Sequence, residues 1–133
     1  MLEQHMIQSR GFKNVLADGK PVGFELRIRT NYYRGIWVTL LEGAEVTVDG
    51  VKFGREAVRW TIGNRSYTVA ELEQATDVRW PFEEAAVLTV PKPGGLLPGR
   101  HQVEVSVFFR ASYMPENMQP WAERANKDMT LIQ

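Results

Sequence analysis

The sequence contains no cysteine and only two histidines, His5 and His101. The first absence removes disulfides, thiolate nucleophiles and sulfur-rich metal sites together. It agrees with a reducing compartment, so a cytoplasmic location is the expectation. The second leaves little for a transition-metal centre, which ordinarily takes three protein ligands. No charge of one sign is in excess either, because 16 basic residues meet 16 acidic ones. Nucleic-acid binders show a basic surplus, and membrane-surface proteins lean on one, so no nucleic acid and no membrane is expected as partner. No apolar run approaches the ~20 residues of a membrane-spanning helix. The first residues show no apolar segment of the kind a secretory signal carries.

What is present is alternation. Phe24, Leu26 and Ile28 fall on one side of an extended chain, and Glu25, Arg27 and Arg29 on the other, which predicts a half-buried strand over Val22 to Thr30. A second β-type run, Ile36 to Leu41, follows. Asp18-Gly19 and Asp49-Gly50 are two-residue hairpin signals, the second between Glu45–Val48 and Val51–Phe53. Gly63-Asn64 marks another hairpin between Val58–Ile62 and Ser66–Val69. Thr68-Val69-Ala70-Glu71 has the form of a capping box and predicts one short helix over 69–75. Ala86–Val90 is a short strand, and 91–99 is a Pro/Gly-rich loop. From His101 to Ala111 the alternation is the cleanest in the chain. Residues 116–128 are polar apart from Met118, Trp121 and scattered alanines, Trp121–Ala125 reads as a helical turn or a loop, and a last strand is expected at Met129–Ile132. The fold class is therefore all-β: a single-domain antiparallel β-sandwich over 1–133, with about eight or nine short strands and one short helix.

Candidates for chemistry are few. His5 and His101 are 96 residues apart, with no His-x-His or His-Glu pairing near either, so no metal site is predicted. The plain reading of His101 is an inward strand residue whose ring nitrogen bonds a loop carbonyl. Glu83-Glu84 and the Glu71, Glu73 pair lie beside turns or on an exposed helical turn, where solvated charge explains them. Asp49 is explained by its turn. No Gly-x-Ser-x-Gly nucleophile elbow exists, and Pro93-Gly94-Gly95 lacks the strand–loop–helix context of a phosphate loop. No catalytic residue is assigned.

Aromatic residues carry the stronger signal. Tyr32, Tyr33, Trp37, Trp60, Tyr67, Trp80, Phe82, Phe108, Tyr113 and Trp121 are too many for one small core, and exposed rings recognise sugars, flat aglycones or proteins. Trp60, Trp80 and Phe109 are read as core. The alternation breaks at Asn31-Tyr32-Tyr33-Arg34-Gly35, where aromatics and a cation stand in a row. Rings and arginine are enriched in binding surfaces. The candidate contact set is Tyr32, Tyr33, Arg34, Gly35, Ile36 and Trp37, together with Tyr113, Met114 and Pro115.

Several phrases stand together in order: Gly11-Phe12-Lys13-Asn14-Val15, Tyr32-Tyr33-Arg34-Gly35-Ile36, Glu45-Val46-Thr47-Val48-Asp49-Gly50, Ala75-Thr76-Asp77-Val78-Arg79-Trp80, Lys92-Pro93-Gly94-Gly95-Leu96 and Ser112-Tyr113-Met114-Pro115. Over nearly the whole chain this resembles the small β subunit of bacterial C-glycoside deglycosidases. Trp37 departs from the family pattern, which has proline after Arg-Gly-Ile. The resemblance implies a β-sandwich that joins a larger α subunit, a TIM barrel related to sugar isomerases, in a hetero-oligomer. It implies a divalent metal, manganese, in that α subunit and no cofactor in this chain. The complex would cleave the C–C bond between an aglycone and a 3-oxidised glucosyl group, so the oxidised C-glycoside is reached through the complex. The alternative from another class is a stand-alone carbohydrate-binding β-sandwich. A metal-dependent enzyme acting alone is a third reading.

Overall fold

The computed structural model describes residues 6–8, 10–30, 36–76, 78–81, 84–109 and 121–131. Two antiparallel sheets face each other. The first runs in the order β1 (Lys13–Ala17), β2 (Lys20–Ile28), β9 (Ala86–Pro91), β6 (Arg59–Ile62), β7 (Arg65–Tyr67). The second runs β11 (Trp121–Leu131), β10 (Gly99–Phe109), β4 (Leu41–Val48), β5 (Val51–Phe53). A third, two-stranded ladder pairs β3 (Ile36–Trp37) with β8 (Arg79–Trp80). Among the described residues one α-helix, α1 (Val69–Leu72), lies between β7 and β8 in the chain.

The strands follow from the expected patterns. Phe24, Leu26 and Ile28 of β2 are fully buried, as are Ala86, Leu88 and Val90 of β9 and Val103 to Phe109, at odd positions, of β10. Burial of one face in each sheet fixes register, because a one-residue slip would turn that face to water. Phe24 meets Phe53 across the sandwich edge to face, with ring centroids 5.4 Å apart. Asp18 and Asp49 adopt positive φ (53° and 50°) beside Gly19 and Gly50, the left-handed pair a two-residue hairpin turn demands. Thr68 and Glu71 form the reciprocal capping box, at 3.2 and 2.8 Å.

The Pro/Gly-rich loop is a structural clamp. Asn14 donates Nδ2 to the Leu96 carbonyl and accepts the Leu96 N–H at Oδ1, both at 2.9 Å. Gly95 has φ 64°, and a Cβ there would stand 2.7 Å from the Asn14 side chain, so only glycine fits under the clamp.

Four expectations need correction. Ile36 to Leu41 is not one strand: β3 ends at Trp37, Val38–Leu40 form a 3₁₀ turn, and β4 starts at Leu41. The turn buries Val38 completely. Trp121–Ala125 is neither helix nor loop; it opens β11, which pairs with β10 along its length. The described residues form eleven strands rather than eight or nine, because the two-residue ladder of β3 and β8 leaves no alternation to read. The helix is also shorter than expected, with only hydrogen-bonded turns continuing to Ala75.

Candidate functional site, the corner of β3 and β8

A corner forms where β8 leaves α1 and pairs with β3. Trp80 is 1% exposed and packs edge to face on Trp60, ring centroids 5.5 Å apart. Its indole N–H donates to the Glu84 carbonyl at 2.8 Å. This buried pair is a platform. Successive residues of a strand point to opposite faces. Arg79, next to Trp80, and Trp37, its cross-strand partner, therefore stand on the other side. The Arg79 guanidinium lies 4.9 Å from the Trp37 ring centroid, a cation–π contact. Trp37 remains 45% exposed.

Beside it opens a cleft of about 680 Å³, lined by Arg65, Tyr67, Gln74, Thr76 and Arg79 among others. The Tyr67 hydroxyl is buried without a hydrogen-bond partner, as is the Trp60 indole N–H. No acidic side chain lines the cleft among the described residues. The corner therefore offers an exposed ring, two guanidinium groups and amide donors, a recognition chemistry suited to carboxylates and flat rings.

Of the predicted contact residues, the structure places Ile36 and Trp37, on β3 at this corner. Tyr32, Tyr33, Arg34, Gly35, Tyr113, Met114 and Pro115 lie outside the described residues. Arg79 is the corner residue that pattern reading missed, and its signal was the pairing of an extended Arg-Trp-Pro phrase with the Ile-Trp dipeptide.

A second polar cluster joins the Asp49 turn to β10. His101 Nδ1 stands 2.6 Å from Asp49 Oδ2, and Nε2 2.6 Å from the Leu97 carbonyl. The Gln102 N–H donates to Asp49 Oδ1 at 2.8 Å. Acceptors stand at both ring nitrogens of His101, an arrangement that favours the imidazolium, which donates from both. Burial of the ring opposes that charge. The Leu97 carbonyl and the Asp49 carboxylate outweigh burial and raise its pKa above the ordinary imidazole value. The Gln102 N–H first, and His101 after it, hold Asp49 below the usual carboxylate range. An Asp–His pair resembles a general-base dyad, but here the second nitrogen is already taken, so the pair fixes the turn and cannot accept a substrate proton. The expected loop carbonyl is there; the Asp49 partner was not foreseen.

Comparison with known proteins decides the family. The family model for the C-glycoside deglycosidase beta subunit matches residues 2–113. The chain belongs to that family. A C-glycoside deglycosidase beta subunit from Eubacterium cellulosolvens is 34% identical over 132 residues, covering 98% of this chain and 90% of the relative. A 3'-dehydrocarminate deglycosidase beta subunit from a Microbacterium species is 33% identical over 94 residues, 70% of each chain. A C-glycoside deglycosidase beta subunit from Arthrobacter globiformis is 32% identical over 93 residues, 70% of this chain and 69% of the relative. The stretch matched by the family model contains the whole corner and ends before β11. Among the described residues no group of three His, Cys, Asp or Glu side chains is placed to hold a metal ion. No described helix is long and apolar enough to cross a membrane.

Proposed function

We propose that this chain is the accessory β subunit of a heteromeric C-glycoside deglycosidase, working with a larger TIM-barrel α subunit on 3-oxo-C-glucosides. The observation that carries the reading is likeness to a beta subunit along 98% of the chain. In this reading the C3 ketone acidifies the C2 proton. A base removes it, the electron pair forms the C1–C2 double bond, and the C1–aglycone bond breaks as the aglycone carbon takes up a proton. The general base and the divalent metal, manganese, belong to the larger subunit. The described residues here offer no donor set for the metal, and no step runs through one on this chain. The role of this chain is to dock and to border the active site, and the Trp37–Arg79 corner is the surface suited to that work.

A free-standing sugar-binding sandwich would offer open ring faces for stacking, whereas one face of Trp37 is covered by Arg79. The test is cleavage of a 3-oxo-C-glucoside by the cognate larger subunit, purified with and without this chain. The expected result is a large loss of turnover without it. Turnover undiminished in its absence eliminates the reading.

A further inference from the structure

We propose that the outer edge of β11 pairs with the same edge of a second copy of this chain, antiparallel and centred on Asn126. This goes beyond the heteromeric role and does not depend on it.

Backbone direction comes first. The Asp49 N–H donates to the Gln102 carbonyl at 2.9 Å and the Gln102 N–H to the Asp49 carboxylate, so even-numbered residues of β10 turn their polar groups toward β4. Odd-numbered ones therefore face β11, where His101, Val103, Val105 and Val107 oppose Met129, Lys127, Ala125 and Glu123. These pairs close the ladder. The N–H and C=O groups of Ala122, Arg124, Asn126, Asp128 and Thr130 consequently point away from the sheet. β11 is the last strand of its sheet, and among the described residues no strand pairs with its far side.

An open edge of this length is usually guarded by proline, a bulge, free charged side chains, above all inward-pointing ones, or a covering segment. β11 contains no proline, and its register with β10 runs without a shift over all eleven residues. The inward Lys127 donates to the Ile7 carbonyl at 3.3 Å and is committed within its own sandwich.

The charge pattern selects the register. Centred on Asn126, the two-fold sets Arg124 opposite Asp128 of the other copy, twice over, and Ala122 opposite Thr130. Arg124, Asn126, Asp128 and Thr130 are all exposed. Centring on Arg124 would oppose arginine to arginine, and centring on Asp128 aspartate to aspartate. Centring on Ala125 would use Glu123 against Lys127, but both are already engaged. Asp128 contacts Arg100 through Oδ2 alone, at 3.4 Å, and keeps an oxygen for the incoming guanidinium.

Sedimentation of the full chain from micromolar to millimolar concentration tests this. The expected result is a reversible dimer. Arg124→Asp and Asp128→Arg each weaken it by about tenfold through like charges placed opposite, and the double swap restores it. Concentration-dependent slowing of exchange at the Arg124, Asn126 and Asp128 amides is the second readout, independent of any variant. A chain that stays monomeric throughout overturns the proposal. So does a dimer indifferent to the single swaps, a double swap that fails to rescue, or exchange at these amides that ignores concentration.

Discussion

The two flanks of the sandwich are finished differently. On the β7 flank the sheet is short and broken: β7 spans Arg65–Tyr67, α1 follows at once, and the small β3–β8 ladder closes over Trp60. On the other flank β11 runs Trp121–Leu131 without interruption, over the β1 side, where Lys127 reaches Ile7. The broken flank carries an exposed tryptophan under an arginine; the regular flank carries alternating small and charged side chains. A short, irregular edge exposes side chains of chosen shape, and so suits recognition of a different molecule. A long regular edge exposes mainly backbone, and so suits another strand. In this protein the first is the surface proposed for the larger subunit and the second the surface proposed for self-pairing.

Substitutions separate the two. Trp80→Ala removes the platform of the corner and should cost about 3–5 kcal/mol of stability, read by urea unfolding, because a fully buried ring leaves a cavity. Dimerisation through β11 should survive wherever the variant is folded. Trp37→Ala should cost only about 1 kcal/mol of stability, since the ring is nearly half exposed and its described ring contact is the Arg79 cation. It should weaken binding to the larger subunit by about 2 kcal/mol, roughly 30-fold in Kd by calorimetry. Equal binding would remove Trp37 from the interface. Thr68→Ala opens the capping box and should cost ~1 kcal/mol, seen as a lower Tm.

The smallest effect is one of pH. A raised His101 pKa means that its contribution is complete below about pH 6.5 and fades as pH rises through the folded value. A lowered Asp49 pKa gives the opposite limb, complete above about pH 4 and fading as pH falls through the folded value. Tm should therefore be highest between these limits, and His101→Gln should flatten the alkaline limb. An unchanged alkaline limb in that variant would show that His101 is not held as a cation.

Much of this was legible in the sequence. Asp18-Gly19, Asp49-Gly50 and the Thr68–Glu71 box are local devices whose chemistry needs no distant partner, and each formed as read. The strands of β2 and β10 were legible because one face of each is wholly apolar. β11 was not, for a physical reason. Its inward positions hold Glu123, Ala125 and Lys127 before Met129 and Leu131, so burial on one face leaves no apolar alternation over its first half. The Asp49–His101 pair depends on the register of β4 against β10, and the Trp37–Arg79 stack on that of β3 against β8. Register across long separations is set by packing, which a single sequence does not display. Trp37 was chosen for its chemistry; its partner emerged only when the two short strands met.

Hydrogen exchange of the chain, alone and with the proposed larger subunit, tests the division of labour most directly. The account predicts slowed exchange at residues 36–37, 65–67 and 78–80, with β11 unchanged at constant concentration of this chain. Protection confined to 121–131, with the Trp37–Arg79 corner exchanging as before, would contradict it.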